Sequence, residues 1–333
     1  MAAKNLVLAG DIGGTKTNLA VFSVHGEKLR SESSQSFPSK QYSGLAPILK
    51  EFLADANYAI EAACFGIAGP IVEGRVKTTN LPWIVDSNEL RRLLKVDSIN
   101  LLNDLEASAY GIFTLEEEEF FTHTEGELRD AGNKALIAAG TGLGQAILYD
   151  DGEHFRPMAT EAGHADFAPR DELEIALLRH LIGNFGHVSY ERVLSGPGLL
   201  NIYRFLKEAQ DMAEPPALSE RFSTAADASA VISQAALAGE FEICVKTLDV
   251  FVSLYGAEAG NLALRAKSLR GVYVGGGIAP KILAKLKDGT FMRAFTDKGR
   301  YAALVGAIPV HVVMNQQAGL RGAAHHAAFL SGD

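Results

Sequence analysis

The chain has 333 residues, about twice the ~150-residue size of a common domain, so two lobes are expected. With 47% apolar and 21% charged residues it is not a disordered chain, and 33 glycines without a G-X-Y period do not make collagen. Thirty-one basic against 40 acidic residues leave a net charge of −9, which argues against a dedicated nucleic-acid binder.

Residues 6–9 are a short apolar run ending in a glycine-rich turn, and residues 17–22 resume as a strand. Residues 59–68, rich in Ala, Ile, Cys and Phe, predict a mostly buried strand broken by Gly69-Pro70. Trp83, the single tryptophan, is expected in core or lobe packing. Residues 98–102 predict another strand, and the chain turns helical from Asp104. The acidic run at 116–119 reads as a solvated helix face or a loop near a lobe boundary. Residues 134–139 and 145–149 predict strands on either side of a glycine cluster. Residues 171–266 are predominantly helical, with Pro215-Pro216 as a break. Residues 271–275 form one more strand, then come Gly276, Gly277 and a helix beginning near Pro280. Residues 316–330 are an Ala-rich helix. Strands interleaved with helices predict an α/β architecture.

Cys64 and Cys244 are the only cysteines, 180 positions apart, so neither a disulfide framework nor a Cys-rich zinc site is expected, and a reducing cytoplasm fits best. Apolar runs such as residues 302–310 are far short of the ~18 residues of a membrane span, and residues 6–9 are too few for a signal-peptide core. The expectation is a cytoplasmic protein without membrane or nucleic-acid partners.

Residues 6–21 and 136–148 share one shape, strand then glycine turn then strand. Either two related lobes each offer a glycine turn to a shared cleft, or these are two unrelated tight hairpins. A glycine turn lets backbone N–H groups approach an anion closely. Gly10, Asp11, Ile12, Gly13, Gly14 and Thr15 supply such a turn; Gly140, Thr141 and Gly142, and then Gly275, Gly276 and Gly277, supply two more. No GxxxxGK[ST] or GxGxxG stands here, which disfavours P-loop and Rossmann readings. Asp11 would repel a phosphate unless a cation such as Mg²⁺ intervenes, directly or through water; the alternative is an Asx-turn residue.

At this point the order of motifs becomes informative: Gly10-Asp-Ile-Gly-Gly-Thr15, Leu102-Asn-Asp104, Gly140-Thr-Gly-Leu-Gly144, Thr160-Glu-Ala-Gly-His164 with Asp166-Phe167, Glu191-Arg-Val-Leu-Ser-Gly-Pro-Gly198 and Gly275-Gly-Gly-Ile278. Together, over nearly the whole chain, they resemble the bacterial ATP-dependent glucokinases of the hexokinase/actin/Hsp70 superfamily. The resemblance implies a ribonuclease H-like/actin-like ATPase fold. Its small α/β lobe would comprise residues 1–114 plus 312–333, and its helix-rich large lobe residues 115–311, with a cleft between them. It implies ATP and Mg²⁺ at the three glycine loops and glucose at Asn103, Asp104, Glu161, His164 and Glu191, with Asp104 as catalytic base. It also implies a homodimer through the large lobe. The Cys cluster of the zinc-containing repressor and kinase relatives is absent, which places the chain with the non-zinc glucokinases and implies no structural zinc, although Gly14-Thr15-Lys16 resembles the zinc group.

Each sugar residue has an ordinary alternative. Asp104 sits where a helix cap is favoured, and an aspartate ionised near neutral pH could also accept a hydroxyl proton. Glu161-x-x-His164 has metal-ligand spacing, but Gly163 interrupts it and no second copy exists, so hydrogen bonding to vicinal hydroxyls is preferred. Glu191 alone would pass for a surface glutamate near a helix start. His25, His311, His325 and His326 receive no role.

The expected reaction is phosphoryl transfer from Mg·ATP to the 6-hydroxyl of glucose, giving glucose 6-phosphate and ADP. The nearest alternative is a broader hexose kinase acting on fructose or mannose. A sugar-sensing repressor or an actin-like ATPase is the more distant one.

Overall fold

The computed structural model describes residues 5–26, 28–54, 58–127 and 129–329. The chain divides into two compact units, one of the residues up to Glu119 together with those from Asn315 on, the other Phe120–Met314.

The first unit is built on a five-stranded sheet. In chain order its strands are β1 (Leu6–Ile12), β2 (Lys16–His25), β3 (Lys28–Pro38) and β4 (Ile60–Ile67); a small three-stranded sheet of β5 (Ile71–Val72), β6 (Arg75–Lys77) and β7 (Ile84–Asp86) follows, and β8 (Ser98–Asn103) completes the main sheet. The main order is β3-β2-β1-β4-β8, antiparallel from β3 to β1 and parallel from β1 to β8. The second unit carries β9 (Phe120–Thr124), β10 (Lys134–Ala139), β11 (Leu143–Asp150), β12 (Phe155–Thr160), β13 (Val272–Gly275) and β14 (Val310–Val313), in the order β12-β11-β10-β13-β14-β9. From β12 to β14 its pairings repeat the first sheet in order and sense, and β9 is an added antiparallel edge. Of the two readings of the glycine hairpins, this topology supports the repeat.

The helices are α1 (Leu45–Phe52), α2 (Ser87–Leu94), α3 (Asp104–Ile112), α4 (Glu172–Phe185), α5 (Gly196–Ala209), α6 (Pro216–Thr224), α7 (Ala228–Leu237), α8 (Glu242–Ala266), α9 (Leu283–Leu286), α10 (Thr290–Thr296), α11 (Ala302–Gly306) and α12 (Ala318–Phe329). Pro216 opens α6 at a position where its missing N–H costs nothing, so the proline pair is a helix start as well as a break. The glycine loop after β13 leads into a 3-10 turn at Ala279–Ile282 before α9, rather than directly into an α-helix. Of the expected final helix, Leu330 lies outside the described residues.

Alternation along β1 fixes the layers of the first unit. Leu8 and Ile12 join a core with Leu19, Phe65 and Trp83, while Val7 and Ala9 face the small residues of α3 and α12. Trp83 is buried, and its indole N–H donates to the Tyr42 carbonyl at 3.2 Å. The α3–α12 contact is backbone-close: a Cβ on Gly322 would stand 1.8 Å from the Ala107 carbonyl oxygen. That is why the last helix is rich in Gly and Ala. In the second unit α8 is buried along most of its length within one continuous core. No single described helix is long and apolar enough to cross a membrane; α7 and α8 pass such a test only as a pair bent by 98°.

The acidic run is, as expected, exposed at Glu116 to Glu118 and lies at a unit boundary, while Glu119 alone is partly covered. Glu117–Glu119 is a 3-10 turn, and the Glu119 carboxylate is gripped by Arg321 at 3.0 and 3.1 Å and by the Asn315 amide. Partial burial would raise its pKa, yet the Glu116 N–H, Asn315 and Arg321 together hold it below the usual range.

Candidate active site

In the first unit, the pairings Ile12 with Ile67 and Ile67 with Asn103 bring the carboxyl ends of β1, β4 and β8 level at one sheet edge. Such an edge is where open α/β sheets place their ligands. Asn103 caps α3, its side chain accepting the Leu105 N–H at 3.0 Å, so the cap falls one residue before Asp104. Asp104 is the first helical residue and exposed; its Oδ1 also accepts the Leu105 N–H at 3.0 Å. Gly66 lets α3 begin this close to β4, because a Cβ there would lie 2.7 Å from that of Ala107.

Asp11 lies opposite Asn18 across the first hairpin and accepts from its amide at 3.4 Å. Burial raises the Asp11 pKa most, Asn18 opposes, and the negative field of Asp104 adds, giving about 6. A carboxyl group so placed binds a cation or a proton readily.

The first loop is smaller than its motif. β1 runs on through Gly10, Asp11 and Ile12, leaving Gly13, Gly14 and Thr15 as the turn. Ile12 is buried, and a Cβ on Gly10 would lie 2.5 Å from the Phe65 ring, so both are packing positions. The turn is fixed by its neighbours: Gly13 N–H to the Lys16 carbonyl at 2.9 Å, Ser39 N–H to Thr15 at 3.0 Å and Ser39 Oγ to Gly13 at 2.8 Å.

In the second unit the loop of Gly140, Thr141 and Gly142 joins β10 to β11. The Gly196 N–H at the start of α5 donates to Gly140 at 2.8 Å. Glu191 Oε2 accepts the Leu143 N–H at 3.0 Å, and a Cβ on Gly142 would reach within 2.5 Å of that oxygen. Gly163 presses on the same hairpin, its Cβ position 2.0 Å from the Leu143 carbonyl oxygen. This close seat presents Glu161 and His164 beside Glu191. His164 Nε2 stands 3.8 Å from Glu161 Oε2, and its Nδ1 stands 4.0 Å from Glu191 Oε1. Glu161 is 80% exposed, His164 60% and Glu191 33%, so the row faces outward and is anchored at its Glu191 end.

The third glycine loop hangs from the end of β13. Tyr255 Oη accepts the Ala139 N–H at 3.2 Å and lies 3.1 Å from the Gly275 carbonyl, which ties β10 to β13. Gly276 has φ +83° and sits where a Cβ would be 2.3 Å from the Ala139 carbonyl, so only glycine fits. Gly140 and Gly277 have nothing within 4 Å of their Cβ positions, leaving their backbones open to close approach.

The structure thus gathers Asn103, Asp104 and Asp11 at one edge of the first unit, and Glu161, His164 and Glu191 with the second glycine loop in the other. Sequence reading missed Asn18, which the period-2 pairing across the hairpin could have located opposite Asp11. It also missed Tyr255, which carries no local signal inside an apolar helix. Among the described residues no group of three or more His, Cys, Asp and Glu side chains is arranged to hold a metal.

A family model described as Glucokinase matches residues 8–329. The chain is similar to a glucokinase of Trichormus variabilis, 42% identical over 340 residues, covering 98% of this chain and 99% of that one. Among solved structures it is similar to a glucokinase from an Antarctic psychrotroph, with TM-score 0.83 and 30% identity over 97% of this chain and 98% of that chain. A ROK family glucokinase from Streptomyces griseus, solved with glucose and AMPPNP, shares the fold at TM-score 0.66 and 21% identity, over 97% of this chain and 99% of that one.

Proposed function

The chain belongs to the glucokinase family of ATP-dependent sugar kinases, and from that premise we propose which residues carry the transfer of a phosphoryl group from ATP to the 6-hydroxyl of glucose. Asp104 accepts the proton of that hydroxyl and aims it in line with the γ-phosphorus. Asn103 binds beside it. Glu161, His164 and Glu191 hold the remaining hydroxyls, each charge-assisted bond worth about 1.5–3 kcal/mol, enough for a few to set sugar preference.

The observation that carries this reading is the row Glu161–His164–Glu191, in which His164 stands 3.8 Å from the first carboxylate and 4.0 Å from the second, and Glu191 is tied to a glycine turn. The backbones of Gly13 to Thr15, Gly140 to Gly142 and Gly275 to Gly277 cradle the phosphates and the adenosine side of ATP.

Asp11 fits Mg²⁺: it is a desolvated carboxyl group whose raised pKa and neighbouring Asp104 favour a positive partner, and Mg²⁺ commonly takes one or two carboxylates plus phosphate oxygens. When bound there, directly or through water, the ion neutralises triphosphate charge. The same reading makes the protein a homodimer in the cytoplasm, a setting that suits two buried free thiols. Size-exclusion with light scattering checks the dimer.

The test is a coupled ADP-release assay over a panel of hexoses and phosphoryl donors, run on the wild type and Asp104→Ala. Glucose with ATP should be preferred, and the variant should lose turnover by at least about 100-fold with its glucose KM little changed. Near-normal turnover would remove Asp104 from the role.

A further inference from the structure

We propose that Glu258, a buried carboxylate in the middle of α8, is a positioning residue that sets Glu191 and the Gly140–Gly142 turn from beneath. The inference rests on the reading above, in which Glu191 holds the sugar.

Glu258 is 0% exposed, and three side chains converge on it, one from β11 and two from α8 itself. Gln145 of β11 donates from Nε2 to Oε1 at 2.9 Å. Arg265, one face along α8, donates to the same oxygen at 2.7 Å. Asn261 donates from Nδ2 to Oε2 at 2.9 Å and also to the Tyr190 hydroxyl at 3.1 Å. Burial first, and the Glu258 charge second, raise that phenol to about 12.

Two of these partners lie on the segments that Glu191 joins. Tyr190 immediately precedes Glu191, and Gln145 stands two residues beyond Leu143, whose N–H Glu191 holds. Gln145 Oε1 has no hydrogen-bond partner among the described residues, so the bond to Glu258 is what orients this buried amide. Glu258 therefore links both sides of the Glu191–Leu143 bond, directly through Gln145 and by way of Asn261 to Tyr190. A core that needed stability alone would do as well with apolar side chains here; a satisfied buried charge fixes one arrangement.

The experiment compares Glu258→Gln, Tyr190→Phe, Glu191→Gln and the double variant Glu258→Gln/Glu191→Gln, with glucose and ATP titrated separately and melting followed in parallel. Glu258→Gln should raise the glucose KM about tenfold while the ATP KM moves less than about twofold. In the Glu191→Gln background the same substitution should have almost no further effect, because both act through one bond. Tyr190→Phe, which deletes a single hydroxyl, should shift the glucose KM in the same direction by a smaller factor, and it decides the matter if Glu258→Gln does not fold. If Glu191→Gln leaves the glucose KM unchanged, the reading of Glu191 fails and this inference with it. If Glu191→Gln raises that KM but Tyr190→Phe and Glu258→Gln do not, or their effects add fully to it, Glu258 is merely structural and the proposal alone is overturned.

Discussion

The two sheets share a strand order, yet their glycine turns are secured by different means. The turn of Gly13, Gly14 and Thr15 is held by neighbours of its own layer, chiefly Ser39 with Thr17, and both side chains are fully buried. The turn of Gly140 to Gly142 is held by Glu191, a side chain from 48 residues away that also stands in the proposed sugar row. In the first unit the loop is a product of the fold. In the second, loop and sugar residue share a bond, so whatever disturbs one is felt by the other.

That contrast can be broken by substitution. The largest effect is expected at Gly163, where a Cβ meets rigid backbone at 2.0 Å. Gly163→Ala should cost about 3 kcal/mol or more, read as a lowered melting temperature. An unchanged Tm would mean that the Glu161–His164 turn is not seated on the hairpin. Next comes Gly142→Ala, whose Cβ meets only the end of the Glu191 side chain at 2.5 Å. Here the carboxylate gives way, so stability should hold while the glucose KM rises about tenfold, roughly 1.4 kcal/mol. The matching change in the first unit, Gly14→Ala, meets Asn80 Cβ at 2.6 Å and should act on the ATP KM instead of the glucose KM. Equal effects of the two alanines on glucose would erase the distinction. Smaller again is Ser39→Ala, which removes the bond to Gly13 and the one to Thr17 and should cost about 1 kcal/mol of stability without moving the glucose KM.

The smallest effect is one of pH, and its sign differs between a residue of each unit. Burial pushes His123, on the added strand β9, down to about 4, so between pH 6.5 and 4 the unfolded chain binds the extra proton and stability falls as pH falls. Asp11 runs the other way: folded, it takes its proton near 6 and unfolded near 3.8, so acidification across that window favours the folded form. One full proton of difference is worth ~1.4 kcal/mol per pH unit, and partly buried, solvent-screened His123 contributes a fraction of that. His123→Phe, which keeps the flat stack on Phe291 at 5.5 Å, should flatten the acid limb of a Tm-against-pH curve. No change in that limb would clear His123.

Much of this was legible from the chain. Periodicity marks both glycine hairpins, and the ordered motifs point to the family before any coordinates. What was not legible depends on distance in sequence. Nothing local distinguishes Gly10, a packing residue against Phe65, from Gly13 in the turn. The cap belongs to Asn103 and not Asp104 because two adjacent residues both carry capping oxygens, and only backbone geometry selects one. The solvated character of the acidic run was legible, but the grip on Glu119 was not, because its partner Arg321 lies 202 residues away. Glu258 is invisible for the same reason: inside an apolar helix a single glutamate announces neither its burial nor its partners.

The seat of α12 has a consequence for biosynthesis. Its glycines close on Ala107 and on the strands of the first unit, while the whole second unit, Phe120–Met314, is a single uninterrupted stretch. On a ribosome adding roughly 5–20 residues per second, the amino-terminal sheet would emerge first yet wait some 10–40 s for its covering helix. Through that interval Val7, Ala9 and Ala20 lack the α12 half of their cover, and the later-made unit is the one able to complete itself first.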